Sequence, residues 1–144
     1  MLGYYRDPEQ TAAVMKPGGW YNTGDIGRQD ADGGLFLVGR TKELIIRSGF
    51  NVYPVEVEAA LASHPSIRIA AVVGRPAEAG NEDVIAFVEL HAGHALDAGA
   101  LQAHLATRLA PYKRPAKIIA VASLPATASG KIKKLELKAM LRDD

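Results

Sequence analysis

The spacing of apolar residues divides the chain in two. From Met1 to Arg40 they come singly or in short runs among Gly, Asp, Tyr and Trp, whereas from Thr41 onward they recur with the periods of regular structure. In the first part, Asp25 to Arg28 and Leu35 to Val38 read as short strands. Asp32-Gly33-Gly34 between them reads as a tight hairpin turn, because glycine accepts positive φ without a Cβ clash. This segment has too few apolar side chains for a core of its own and is expected to lean on a neighbour.

In the second part, the run Leu44 to Ile46 halts at Arg47-Ser48-Gly49, and Pro54 stands where the first position of a helix suits its fixed φ. The pattern predicts a helix to Ser63 with Val57, Ala60 and Leu61 on one face. Glu56 and Glu58 fall in its first turn, where negative charge complements the helix dipole, and His64-Pro65 stops it. Ile67 to Val73 and Val84 to Leu90 are β-branched apolar runs, read as two buried strands. Asp97 can cap a helix with Leu101, Leu105 and Leu109 on one stripe, ending before Pro111. Lys117 to Val121 gives a third strand, and Leu137, Met140 and Leu141 mark a last short helix. This order predicts a small α+β domain, helices packed on a three-stranded sheet, preceded by a β-hairpin-rich segment.

Composition narrows the function classes. With 144 residues, 48% hydrophobic and 23% charged, the chain has room for one ordinary globular core. A net charge of +1 offers no broad basic face, which argues against nonspecific nucleic-acid binding. The absence of cysteine removes disulfides, thiolate catalysis and thiolate metal sites, and suits a cytoplasmic location. No apolar run approaches the roughly 20 residues of a membrane-spanning helix, and no basic-then-apolar leader opens the chain, so a soluble, unexported protein is expected.

Three stretches carry candidate chemistry. In Gly19-Trp20-Tyr21-Asn22-Thr23-Gly24-Asp25, a carboxylate after a glycine turn can accept hydrogen bonds from a vicinal diol, although Asp after Gly is also an ordinary turn residue. In the stretch from Gly39 to Pro54, Arg40 offers a fork of donors to phosphate or ribose oxygens, and Gly49 lets backbone pass close to a ligand. A hairpin with solvated charges is the plainer reading of that stretch. In Pro125-Ala126-Thr127-Ala128-Ser129-Gly130-Lys131, a glycine loop ends in a compact cation suited to phosphate. Its glycine spacing is not that of a Walker loop, and a surface lysine in a basic tail is the alternative.

Taken in this order, the three stretches resemble the late motifs of the adenylate-forming (AMP-binding) superfamily, which includes acyl-CoA and aryl-CoA synthetases, luciferases and peptide-synthetase adenylation domains. Gly3-Tyr4-Tyr5 with Pro8-Glu9 and Thr11 resembles the usual lead-in, so the match runs nearly end to end. The resemblance implies that residues 1–41 close a large N-terminal adenylation domain and that 42–144 form the C-terminal lid. It assigns nucleotide binding to Thr23, Asp25 and Arg40, with Asp25 on the ribose hydroxyls of ATP. Lys42 takes the hinge position, and Arg47, Gly49 and Phe50 belong to the loop on the CoA side. Lys131 matches the lysine that contacts the α-phosphate and substrate carboxylate. Ala126 departs from the family, which often has Lys or Arg there.

The implied activity is that of an acid–thiol ligase, an acyl-CoA synthetase of the kind used in fatty acid metabolism. ATP, Mg²⁺ and CoA serve a carboxylic acid substrate by alternation of the two domains. No metal ligand is assigned to this chain, and without the large domain it is expected to be inactive. Its own N-terminal domain is the implied partner, together with a protein lysine acetyltransferase acting at Lys131. The alternatives are a non-catalytic lid serving as an interaction or acetylation module, or the lid of a luciferase-like or peptide-synthetase enzyme.

Overall fold

Asp7 opens the first helix, α1 (Pro8–Val14): its carboxylate accepts from the Gln10 amide at 2.9 Å, and Pro8 fills the first turn. None of its residues is buried, so no apolar face betrays it in the sequence. The computed structural model describes residues 1–141. The chain forms two compact units, Met1–Lys42 and another that starts at Glu43.

In the first unit, β1 (Met15–Lys16) pairs antiparallel with β2 (Trp20–Tyr21), and β3 (Asp25–Gln29) with β4 (Leu35–Arg40). The turn of the second hairpin is built on Asp30, whose Oδ1 accepts from the amides of Asp32 and Gly34 at 3.1 and 2.7 Å. Trp20, Leu35 and Leu37 stand exposed, in keeping with the shortage of core-forming residues.

The second unit begins with a hairpin, β5 (Ile45–Arg47) and β6 (Phe50–Val52), whose two-residue tip is Ser48-Gly49. Both tip residues have positive φ, +52° and +78°, as the twist-matched two-residue hairpin turn requires. There follow α2 (Pro54–Ala62), β7 (Ile67–Pro76), β8 (Glu82–Leu90), α3 (Ala98–Ala106), β9 (Lys117–Ala120) and α4 (Lys134–Met140). The sheet has the order β7-β8-β9, antiparallel between the first two strands and parallel between the last two. The sequence-predicted α+β domain with a three-stranded sheet is the observed one.

Both faces of the sheet are covered, which is why its strands read as nearly continuous apolar runs. Val84, Ala86 and Val88 turn to a layer with Val57 and Leu61 of α2, Leu101 and Leu105 of α3, and Ile45 and Val52 of the hairpin. Ile85 and Phe87 turn the other way, to Ala71, Val73, Leu124 and Leu137. Ile67 and Ile69, two apart, nevertheless lie in opposite layers, because a register shift between them reverses the alternation. Asp97 caps α3 through the Ala100 amide at 2.9 Å, and Leu109 is buried although it lies beyond that helix. Of the apolar residues that mark α4 in the sequence, Leu137 is fully buried and Met140 is exposed.

At Gly74 in β7, paired with Val84, a Cβ would stand 2.7 Å from the Glu82 Oε1 and 3.2 Å from the Ile45 Cγ1. Glu82 uses that space to reach the hairpin, where its Oε2 accepts from the Ile46 amide at 2.9 Å.

Candidate functional site

In the first unit, Thr23, Asp25 and Arg40 come together. The Thr23 hydroxyl accepts from the Asp25 amide at 3.1 Å, and the Asn22 Oδ1 from the Gly24 amide at 3.0 Å, so side chains fix the turn that leads into β3. Gly24 holds φ +75°, and its carbonyl accepts from Thr41 at 2.9 Å. The register sets Asp25 opposite Arg40, whose Nε donates to the Asp25 Oδ1 at 3.1 Å. The two side chains remain 29% and 55% exposed, so a carboxylate acceptor and guanidinium donors are presented side by side to solvent. Such a pair can take hydroxyls on the one and phosphate oxygens on the other. Lys42 lies exposed in the single turn Thr41–Glu43 and is the last residue of this unit.

In the second unit, the tip of the β5–β6 hairpin is held from outside itself. The Arg47 guanidinium donates to the Arg114 carbonyl at 2.7 Å, and the Asn81 Oδ1 accepts from the Ser48 amide at 2.7 Å. Phe50, half exposed, stacks on Tyr112 with centroids 4.6 Å apart. Gly49 has no atom within 4 Å of where a Cβ would be, so its backbone lies open to approach. Lys113, which follows Tyr112, donates to both oxygens of the Glu56 carboxylate, at 2.6 and 2.8 Å. That hydrogen-bonded carboxylate raises the Lys113 pKa above the ordinary lysine value against a smaller opposing effect of burial.

The loop carrying Lys131 is held mostly by its own atoms. The Thr127 amide donates to the Lys131 carbonyl at 2.8 Å, the Thr127 hydroxyl accepts from the Lys131 amide at 3.1 Å, and the Lys133 amide donates to the Pro125 carbonyl at 2.8 Å. Gly130, at φ +82°, makes the turn. Below the loop sits Glu89, 4% exposed, whose Oε1 accepts from the Leu124 amide at 2.6 Å while its other oxygen meets the Arg68 guanidinium.

Three lysines follow one another here with different fates. Lys133 pairs with Glu136 at 2.9 Å, and Lys134 lies between Glu43 and Glu58 at 2.7 and 2.9 Å. The Lys131 ammonium, exposed, has no hydrogen-bond or ion-pair partner among the described residues. A free cation on a fixed backbone can meet an incoming anion without first giving up a partner.

Sequence reasoning did not single out Glu89, Asn81, Glu82, Tyr112 or Glu43, and it placed Glu58 in the first turn of its helix, where the structure has Glu56 alone. For Glu89 a signal existed, a carboxylate in the otherwise apolar run Val84 to Leu90; the others are long-range partnerships that no local pattern encodes. Among the described residues, no group of three or more His, Cys, Asp or Glu side chains could hold a metal ion, and no helix is long and apolar enough to cross a membrane.

With this geometry in view, comparison with known proteins is direct. The chain is 46% identical over 139 residues to a 2-succinylbenzoate–CoA ligase of Geobacillus kaustophilus, covering 96% of this chain and 28% of that protein. The o-succinylbenzoate CoA synthetase of Bacillus subtilis, solved with ATP and magnesium ion and also with an acyl-adenylate intermediate, superposes with a TM-score of 0.88 in the first complex. There the identity is 37%, over 96% of this chain and 28% of that one. An amide bond synthetase of Marinactinospora thermotolerans gives a TM-score of 0.87 at 40% identity, with 96% and 28% covered. The chain thus spans little more than a quarter of the length of these relatives. The family model described as the AMP-binding enzyme C-terminal domain matches residues 56–131, and this chain belongs to that family.

Proposed function

We propose that the chain is the C-terminal part of an ATP-dependent carboxylic acid–CoA ligase and that Lys131 supplies the positive charge for its adenylation step. The Lys131 ammonium, without a partner among the described residues, at the end of the family match and on a loop whose backbone is already fixed, carries this reading. In the first half-reaction a substrate carboxylate oxygen attacks the α-phosphorus of ATP. The α–β phosphoanhydride bond breaks, and pyrophosphate leaves with its electron pair. Lys131 offsets the charge that grows on the phosphoryl oxygens; at about 4 Å and an effective dielectric of 20 this attraction is roughly 4 kcal/mol. Asp25 and Arg40, steadied by Thr23, hold the ribose and its phosphate.

In the second half-reaction, after rotation about Lys42, the CoA thiolate attacks the acyl carbon and AMP departs with the oxygen. The hairpin tip Arg47-Ser48-Gly49-Phe50 then faces the pantetheine arm, with Gly49 leaving the backbone open. Mg²⁺ would arrive with the nucleotide phosphates, since the described residues hold no ligand set for it, and it would neutralise phosphate charge there. The same charge makes Lys131 the target proposed for a lysine acetyltransferase, because acetylation removes it. A cytoplasmic setting goes with this reading.

Pyrophosphate exchange and thioester formation test the assignment separately in the full-length enzyme. Lys131→Ala lowers adenylation about a hundred- to a thousandfold, the usual loss for one charge-stabilising donor, and spares thioester formation from preformed acyl-adenylate. Equal loss in both half-reactions overturns it. The likeness to an amide bond synthetase favours a second reading, in which an amine is the acceptor; product formation with CoA against amines decides between them.

A further inference from the structure

Lys134 lies three positions beyond Lys131 and is 20% exposed. Its ammonium bridges two carboxylates from distant parts of the second unit. Glu43, 91 residues away, accepts at 2.7 Å and is the residue that directly follows Lys42. Glu58 accepts at 2.9 Å from the middle of α2, and the same Glu58 Oε1 accepts from the Val72 amide of β7 at 2.8 Å. One cation therefore gathers the start of the unit, α2, α4 and a sheet strand. Glu43 and Glu58 are 33% and 21% exposed, so the cluster is shielded enough to outweigh an ordinary surface pair.

For Lys131 to reach a fixed place when the unit turns about Lys42, the segment just after that pivot must move with the body that carries the loop. Glu43 sits in a single turn with no buried residue, so its backbone has little packing of its own. Without an anchor, part of the rotation would be taken up between Glu43 and β5 and would never reach the loop. Resting on the adenylation reading above, we propose that the Glu43–Lys134–Glu58 bridge locks the pivot to the lysine loop. Lys134 is then a positioning residue for adenylation that touches no substrate. Its charge is spent inside the unit, unlike that of Lys131. A loop displaced by about an ångström loses rate without losing ground-state affinity, so the effect falls on kcat.

The test compares Lys134→Met, Lys134→Arg and Glu43→Gln with Lys131→Ala in the full-length enzyme, reading pyrophosphate exchange, thioester formation from preformed acyl-adenylate, and Tm. Lys134→Met and Glu43→Gln each lower the kcat of exchange about tenfold with KM for ATP within twofold. The double variant is no worse than Lys134→Met alone, and Lys134→Arg, which retains a cation with more donors, recovers at least half of the rate. Thioester formation falls less than exchange. Exchange within twofold of wild type in Lys134→Met, while Lys131→Ala is crippled, overturns the bridge and leaves the adenylation reading intact. A full effect of Lys131→Ala in neither assay removes the underlying reading instead. Should Lys134→Met fail to fold, Glu43→Gln alone decides: an equal loss in both half-reactions that follows Tm marks a purely structural pair and overturns the proposal.

Discussion

Two tips of the second unit are built on opposite plans. The β5–β6 tip is held by the rest of the unit: Asn81 and Glu82 reach its amides, the Arg114 carbonyl takes Arg47, and Tyr112 lies against Phe50. The loop ending in Lys131 ties its backbone to itself, and its connection to the sheet passes through the buried Glu89 at its base. In the first plan the polar side chain is immobilised with the backbone. In the second the backbone is fixed and the ammonium is left without a partner among the described residues. The contrast teaches that order of the main chain and availability of a side chain are set separately, and a residue that must meet a ligand is served by the second plan.

This comparison can be broken from either side. The largest effect is expected from Glu89→Ala, which leaves the buried Leu124 amide without an acceptor at a cost of about 1–3 kcal/mol, read as a lower urea midpoint. Glu89→Gln, which retains an acceptor, loses less, and hydrogen exchange in the Glu89→Ala chain quickens in the lysine loop while Ser48 keeps its protection.

Asn81→Ala acts on the other tip. It removes the acceptor of the Ser48 amide, worth about 1 kcal/mol, and quickens exchange at Ser48 with the Lys131 amide unchanged; equal quickening in both would erase the distinction between them.

Alkaline pH gives the smallest effect. Because the folded Lys113 pKa is raised, its bond to Glu56 contributes in full below the unfolded lysine value, about pH 10.4, and is lost as pH rises through the higher folded value. Stability should therefore decline more steeply above that pH in wild type than in Glu56→Gln, with the support of Tyr112 and Arg114 loosened first.

The sequence foretold the sheet because a two-faced burial leaves nearly continuous apolar runs, as at 84–90, and helix α2 because Pro54 and Glu56 announce a start. The helix Pro8–Val14 escaped notice since it buries nothing, even though Asp7-Pro8 is a capping signal. The reversal of Ile69 came from a bulge, which a strict alternation cannot express. For the site, the resemblance assigns Asp25 and Arg40 to one nucleotide site, and the strand register that sets them face to face is visible only in the structure. Arg47 was read as belonging to a ligand-facing loop, and the structure shows its guanidinium engaged with Arg114. Which of the clustered lysines is unpartnered depends on carboxylates up to 91 residues away, beyond the reach of local patterns.

The missing side chain at Gly74 carries a consequence for substitution at that strand position. A methyl group there would meet the carboxylate end of Glu82 first and would also press on the buried Ile45 Cγ1 of the hairpin at 3.2 Å. That carboxylate would swing aside and let go of the Ile46 amide, so the damage would surface in the hairpin, not in the strand that was altered. Gly74→Ala combined with Glu82→Asp should be gentler than Gly74→Ala alone, because a shorter acid clears the methyl, and the two positions are best regarded as a single compound residue.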